Sequence, residues 1–496
     1  MLAQDYGLSG PTQIETESLD AAQDFDAGIL TEGALDTQLW QGTSANRAAK
    51  LLSTAPLNSN DPIIRDMVRT VILSGGVPPR AENESAAKTY ESARLQAVMA
   101  VGEGEVLDGF LARNPELTRA PSAQVDLALA KGDQSRACEI SDTITTGRGE
   151  PQWVRLRAAC HALRGEMAAA ELTRDLLRSL GYQNDAYYAQ LSALIAGRPP
   201  AKETNSSDVL VTYLAKRSGS ERETGAEAGR DADLAALFKN FATLDLASIE
   251  NTLGNISFDV ATPDLDLETA LSEPSPRATA RLFVLGRSGD AGALDAFISR
   301  ATRAGVSEDD VLTKLSPIIQ ALPAKGRVDS NLKRYARAAL LARDIGGLQG
   351  LYSALPEGGP AQARIALAAD ALGGGFNAQG LGRDIETRLT GTTTQAQALT
   401  DVVLAVALGA RVSDVAGDVL AEANLPKATL PQSQMLLLNA AVDANSRAET
   451  TLRAATLLSR ANLNTTDRAQ IVTALRRAGL QRFAGQVAAE DFLAAL

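Results

Sequence analysis

Apolar residues recur at three- and four-residue spacing along most of this chain of 496 residues, and this period limits what the chain can form. The blocks are about 12 to 18 residues long, and Gly, Pro or Asn, which end helices, separate them. The pattern runs through 86–198 and returns from 277 to the C-terminus. Because short loops join antiparallel neighbours, it predicts an all-α fold: an α-solenoid of stacked antiparallel helical hairpins.

The side chains available for packing are small. Ala and Leu are the commonest residues, and aromatic residues make up only 4% of the chain. Stability must therefore come from many small contacts between helices, as in helical repeat proteins. Gly132, Gly165 and Gly197 lie 33 and 32 residues apart, which matches one tetratricopeptide-like (TPR-like) hairpin. Ala-rich helices that end at glycine would give the same spacing without a repeat, so both explanations stay open.

Changes in composition divide the chain into parts. The stretch 197–233 is rich in Gly, Pro and charge, and 255–276 is Pro-rich with alternating apolar and polar residues, which favours an extended crossover. We therefore expect two lobes joined by an irregular linker, with 218–231 exposed. The predicted parts are an N-terminal arm with capping helices (1–80), a helical-hairpin lobe (81–198), a linker and crossover segment (199–276) and a C-terminal helical solenoid (277–496).

Charge and hydropathy argue against two classes of partner. The formal charge of −12 and the pI of about 4.9 disfavour nucleic acid, which needs a concentrated Lys/Arg face. The longest apolar stretches, such as 402–410, are far shorter than the roughly 20 residues that span a bilayer, so we expect no integral membrane segment. The first residues lack the charged and apolar regions of a signal peptide. This leaves a cytosolic protein or a mature protein whose signal peptide has been removed, and we expect the second, in the periplasm.

The sequence lacks the usual catalytic and metal-binding constellations. It contains one histidine, His161, so sites built on several histidines cannot be assembled. His161 follows Cys160 directly, and consecutive helical residues point about 100° apart, so the two cannot form a dyad. The Gly-rich stretch 373–382 lacks the Lys of a phosphate-binding loop, and the acidic stretch 264–268 lacks the glycine of a calcium loop. We predict no enzyme activity, no catalytic, cofactor-binding or metal-binding residues, and no cofactor.

The two cysteines, Cys138 and Cys160, are candidates for a disulfide bond. Gly149, in the turn TGRGEP, is eleven residues from each of them. Positions equidistant from the turn lie at the same height in an antiparallel hairpin, so the two thiols can face each other. Two buried free thiols are the alternative, which a cytosolic protein would favour. The symmetry about the turn predicts the bond and, with it, an oxidising compartment.

Three stretches of the sequence resemble known proteins. They are LWQGTS (39–44), WVRLRAACHALRGEMAAAELTRDLL (153–177) and ALRRAGLQRFAGQVAAEDFL (474–493). They are similar to a group of alphaproteobacterial periplasmic envelope proteins of unassigned role, some of which carry the label "antifreeze". The resemblance implies a periplasmic location and an all-helical, TPR-like body, and it implies no activity and no site residues. The threonines form no regular ice-binding array, so the label carries no weight.

Stacked hairpins without catalytic residues are typical of proteins that bind other proteins. We predict a non-catalytic periplasmic scaffold that mediates protein-protein interaction in the cell envelope, as a structural component of a machine such as the flagellar motor. The alternative is a glycan- or peptide-binding helical module. The expected partners are envelope proteins. A homo-oligomer is compatible with this prediction.

Overall fold

A computed structural model of the chain describes residues 28–30, 32–57, 59–101, 105–114, 120–198, 208–220, 230–241, 244–257, 265–373, 395–460, 462–494 and 496. Within these ranges every regular element is an α-helix, and there are 26 of them. The prediction of an all-α, solenoid-like fold is confirmed. Most of the predicted linker 218–231 and of the Gly-rich stretch 373–382 lies outside the described residues, as does the arm before residue 28.

The helices follow one another with short connections. The first group is α1 (Ala45–Thr54), α2 (Pro62–Leu73), α3 (Glu84–Val101), α4 (Glu105–Arg113), α5 (Pro121–Ala130), α6 (Gln134–Thr143), α7 (Pro151–Leu163), α8 (Met167–Ser179), α9 (Asp185–Ile195) and α10 (Val209–Ser220). The second group is α11 (Arg230–Asn240), α12 (Leu246–Ser257), α13 (Leu267–Ser272), α14 (Pro276–Arg287), α15 (Ala291–Arg303), α16 (Glu308–Lys314) and α17 (Ser316–Ala321). The third group is α18 (Ala324–Leu341), α19 (Ile345–Ala354), α20 (Pro360–Leu372), α21 (Gln395–Ala407), α22 (Asp414–Glu422), α23 (Gln432–Asp443), α24 (Arg447–Leu458), α25 (Thr465–Arg477) and α26 (Gln481–Ala494).

Several helices begin at capping signals that are visible in the sequence. The Asp61 carboxylate accepts a hydrogen bond of 2.8 Å from the Ile63 N–H, and Pro62 occupies the first position of α2, where its missing N–H costs nothing. Asn464 and Asp467 form a reciprocal capping box at the start of α25. These bonds satisfy backbone groups that a helix end leaves unpaired.

The segment 255–276 differs in part from the extended crossover that its composition favours. Residues 258–264 lie outside the described ranges, but α13 forms within the remainder. The Asp266 carboxylate accepts a hydrogen bond of 2.8 Å from the Thr269 N–H, which caps this short helix. Asp266, one of the acidic residues that suggested a calcium loop, therefore acts as a helix cap.

The helices pack both as neighbours along the chain and over long distances in sequence. Hairpin partners include α5 with α6, α7 with α8, α14 with α15 and α25 with α26. Distant pairs include α1 with α3, α5 with α10 and α20 with α26. Gly485 allows the last of these contacts, because a Cβ atom there would lie 2.1 Å from the carbonyl oxygen of Ala371. Backbones approach this closely only where small residues line the contact.

Buried apolar side chains form two clusters. The larger joins residues between Leu39 and Leu214 with residues between Ala336 and Leu493, so the first and last helices share one core. The smaller joins residues between Leu234 and Ala338. It includes side chains of α11 and α12, which lie in the segment expected to be a linker. The division of the chain into two lobes at 199–276 stays a prediction.

The N-terminal segment contacts the C-terminal helices directly. Helices α1 and α2 pack against α24. The buried Thr43 hydroxyl donates to the Glu449 carboxylate at 2.8 Å and lies 2.7 Å from the Ser446 hydroxyl. We call this contact, between residues 36–44 and 443–453, the terminal clasp. It joins positions about four hundred residues apart in sequence.

Ion pairs connect helices of the two clusters. Arg337 of α18 pairs with Asp309 of α16 at 2.9 Å and with Glu490 of α26 at 2.5 Å. Arg65 of α2 pairs with Asp310 of α16 at 2.5 Å. All these side chains are at least partly buried, so solvent screens them less than it screens surface pairs. They hold α16 and α18 against both ends of the chain.

Candidate functional site

The predicted disulfide is present. Cys138 on α6 and Cys160 on α7 are bonded, with their Cα atoms 5.8 Å apart, and each residue is 2% exposed. The Asp133 carboxylate caps α6, and α7 begins at Pro151, which sets the turn between the two helices. The disulfide is therefore buried and cross-links the two helices of one hairpin.

His161 lies on the surface of α7. Its Nδ1 is 2.6 Å from a carboxylate oxygen of Glu166, and its side chain is 30% exposed. Cys160 is held in the disulfide, so His161 has no adjacent thiol to activate. The contact with Glu166 links the end of α7 to the turn before α8.

The feature that best fits a binding function is a composite groove, made of three connected sections. The clasp section lies between α1, α23 and α24 and has a volume of about 620 Å³. The middle section lies between α1 and α3, with about 890 Å³. The inner section lies between α3, α5, α7 and α10, with about 440 Å³. Each volume lies within the range of typical ligand pockets.

Shared residues show that the three sections lie side by side, with the exposed edges of α1 and α3 between them. Asn46 and Lys50 line both the clasp section and the middle section. Lys88, Ser92 and Gln96 line both the middle section and the inner section. The groove therefore crosses helices from both ends of the sequence, which are brought together by the terminal clasp.

The clasp section is cationic. Arg47, Lys50 and Arg453 line it. Glu449 pairs with Arg453 at 2.8 Å and more distantly with Arg47 at 3.7 Å, but it is only 2% exposed and also accepts from Thr43. One buried carboxylate thus pairs with two of the three cations. Lys50 is exposed and makes no ion pair in the part of the chain that the structure describes.

Leucine side chains form the apolar wall of the clasp section. Leu51, Leu437 and Leu457 line it, and Leu437 is 41% exposed. The preceding residue on α23, Leu436, is 70% exposed. Exposed leucines beside a groove are typical of surfaces that another molecule covers.

The middle section is polar. Ser53 of α1 and Ser85, Thr89 and Ser92 of α3 line it with hydroxyl groups. Lys88 and Glu84 form an ion pair of 2.6 Å on α3. Hydroxyl and amide groups of this kind can bond to peptide N–H and C=O groups whatever the side chains of the ligand are.

The inner section combines an apolar floor with two carboxylates, those of Glu91 and Asp126. Leu95, Trp153 and Leu156 line it and are each at least nine-tenths buried. Burial raises the pKa of the Asp126 carboxyl to about 7, against the opposing attraction of Arg155. Arg155 itself lies beside this section, where its guanidinium is hydrogen-bonded to Asp208. Burial alone would lower the pKa of Arg155, but the pair with Asp208 raises it.

A second exposed apolar surface lies on α8. Leu172, Leu176 and Leu180 follow one another at four-residue spacing and are 74%, 49% and 46% exposed. Residues at this spacing share one face of a helix, and Leu180 directly follows the end of α8. We call this surface the α8 ridge.

Neither a metal site nor a membrane-spanning helix is present among the described residues. No group of three or more His, Cys, Asp or Glu side chains among the described residues could hold a metal ion. None of the described helices combines the length and the apolar character that crossing a bilayer requires.

Sequence reasoning found the disulfide but not the groove. Ser85, Thr89, Ser92 and Gln96 recur at four- and three-residue spacing, so the polar face that they form on α3 could have been recognised. The α1 and α24 faces opposite carry no local signal that pairs them with α3. That pairing comes from contacts between distant parts of the chain.

The fold and the groove together define an all-α, solenoid-like protein with an open groove on its surface and one hairpin cross-linked by a disulfide. Comparison with known protein families, with curated proteins and with solved structures finds no significant match. The stretches 39–44, 153–177 and 474–493 lie in the terminal clasp, in α7 and α8, and in α25 and α26.

Proposed function

We propose that this protein is a non-catalytic scaffold of the periplasm that binds other proteins of the cell envelope, as a structural component of a machine such as the flagellar motor. The observation that carries the proposal is the row of three adjoining sections across α1, α3 and α24, whose polar, cationic and apolar linings suit a protein ligand. The α8 ridge supports the proposal, because three exposed leucines on one face of a helix are typical of a protein interface.

The periplasmic location is supported by the disulfide. Such bonds persist in oxidising compartments and are rare in the cytosol. Cys138 and Cys160 are the only cysteines of the chain, and they are bonded to each other. The resemblance of the three stretches to periplasmic envelope proteins points to the same compartment.

A glycan- or peptide-binding helical module is the alternative function. The inner section favours it, because Trp153 lies beside Gln96 and Gln152, a combination of apolar and amide groups that small ligands use. In this case the ligand would be a free glycan or peptide instead of a segment of an envelope protein.

Photo-crosslinking in living cells tests the scaffold proposal. A photoreactive residue is placed at Lys50 in the groove, at Leu172 on the α8 ridge and, as a control, at the exposed Glu357. We expect irradiation to link the protein, from Lys50 or Leu172 but not from Glu357, to an envelope protein that mass spectrometry identifies. If neither position gives a protein adduct, the scaffold function is wrong.

A further inference from the structure

We infer that the composite groove binds an extended polypeptide segment of a partner, with an acidic residue in the clasp section and an apolar side chain in the inner section. The inference rests on the proposed scaffold function and goes beyond it, because it names the binding site and the chemistry of the ligand.

The shape of the groove favours an extended chain over a compact ligand. Each section is as large as an ordinary pocket, and shared residues such as Lys50 and Ser92 lie on the borders where the sections meet side by side. A compact ligand would fill one section and leave the others in water. An extended segment can occupy all three, and its side chains alternate in direction, so that they can enter separate sections.

Charge complementarity selects an acidic residue for the clasp section. Among the described residues, Arg47 and Arg453 pair with Glu449 and Lys50 pairs with no carboxylate. The Glu449 carboxylate is buried and already accepts hydrogen bonds from Thr43 and Arg453. The cationic groups therefore retain a positive field at the surface of the groove, and a carboxylate of the ligand is attracted to it. The leucines beside them can cover an apolar neighbour of that acidic residue.

The lining of the middle section favours a polypeptide over a lipid as the ligand. This lining carries Ser85 and Ser92, whose hydroxyl groups would lose contact with water against an acyl chain without gaining a partner from it. The same groups can bond to the peptide backbone, which offers a donor and an acceptor at each residue.

The lining of the inner section favours a polypeptide over a glycan as the ligand. Sugars stack on the open face of an aromatic ring, but Trp153 is 7% exposed and presents only a small part of its surface. Leu95, Leu156 and Leu210 complete an apolar floor that would receive a leucine-like or aromatic side chain. We therefore place the apolar side chain of the bound polypeptide in the inner section.

The test uses the full-length, disulfide-bonded protein and a library of random dodecapeptides displayed on phage. We expect enriched peptides to share an acidic residue and, several positions away, a large apolar residue. A selected peptide should bind the Lys50→Glu variant about tenfold more weakly at low salt, and the loss should shrink near 1 M salt, where charges are screened within about 3 Å. Lys325→Glu makes the same charge change at an exposed position outside the groove and should leave binding unchanged.

A second variant tests the path of the groove. Ser92 is exposed and lines both the middle section and the inner section, so Ser92→Trp should block the groove and abolish binding while the circular dichroism spectrum stays that of the wild type. The inference is overturned if no peptide is enriched, if enriched peptides lack the acidic residue, or if Lys50→Glu and Ser92→Trp bind as the wild type does. It is also overturned if only peptidoglycan fragments or anionic vesicles bind. Protein adducts from Leu172 with none from Lys50 would keep the scaffold function and remove the groove as its site.

Discussion

At the residue scale, the surroundings of Asp467 and Asp126 shift the pKa values of the two carboxyl groups in opposite directions. Burial alone would raise the pKa of Asp467, but hydrogen bonds from Thr429 and Leu430 lower it. Asp126, on the wall of the groove, has no such set of donors, and burial raises its pKa to about 7. The fold therefore favours the charged form of Asp467 and the protonated form of Asp126.

The raised pKa of Asp126 predicts a pH-dependent effect on stability. Because the folded pKa lies above the ordinary value of 3.8, the contribution of Asp126 to stability is complete below about pH 4 and is lost as the pH rises to about 7. Asp126→Asn carries no charge at any pH. We expect it to exceed the wild type in unfolding free energy by about 1 to 2 kcal/mol at pH 8, after discounting for partial exposure, and to match it near pH 4.

Urea unfolding of both proteins at the two pH values measures this difference. Asp329→Asn is the matched control, because Asp329 is exposed and the charge change is the same. An advantage of Asp126→Asn that is equal at pH 4 and pH 8 would show that the buried charge is not its cause.

The α6–α7 hairpin shows at the element scale how a covalent bond supports a pair of short helices. Helix α6 has 10 residues, and its last residues lead into the turn before Pro151. Isolated helices of this length are marginal in water, so most of their stability comes from packing. Buried side chains such as Trp153 and Leu156 on α7 contribute to this packing, and the bond between Cys138 and Cys160 adds to it.

Removal of this bond is expected to destabilise the hairpin. The two cysteines are 22 residues apart, and closing a loop of this length stabilises the folded state by about 3 kcal/mol in the chain-entropy model. We expect Cys138→Ala with Cys160→Ala to lower the unfolding free energy by about this amount.

Thiol titration under denaturing conditions gives an independent check on the purified wild-type protein. It should find no free thiol before reduction and two after it. Two free thiols before reduction would contradict the bond and would remove the main support for the periplasmic location.

The terminal clasp acts at the scale of the whole molecule. It brings α1 and α2 against α24, and it thereby creates the clasp section of the groove and completes the larger core. Its centre is the hydrogen bond between Thr43 and Glu449, both 2% exposed. Removing a hydrogen-bond donor from a buried carboxylate lowers the stability of the fold, because no water molecule takes the place of the donor.

Thr43→Val keeps the shape of the side chain and removes this donor. We expect it to lower the unfolding free energy by about 1 to 3 kcal/mol. Hydrogen exchange should quicken in 39–49 and in 447–458 together, because the two segments protect each other. Thr313→Val, which removes a hydroxyl bond within the exposed surface of α16, should change stability by less than about 0.5 kcal/mol. Faster exchange in only one segment would show that the clasp does not couple the two ends.

Local patterns in the sequence determined the helical content, many helix starts and the disulfide. Helix periodicity, caps such as Asp61 and the symmetry of Cys138 and Cys160 about Gly149 each depend on residues close in sequence, which interact in the same way wherever the hairpin lies. The pairing of α1 with α24 and the route of the groove were decided only by the tertiary structure. Similar Ala- and Leu-rich faces can pack against many partners, so the choice among them depends on the shape complementarity of the whole core and on single contacts such as that of Thr43 with Glu449.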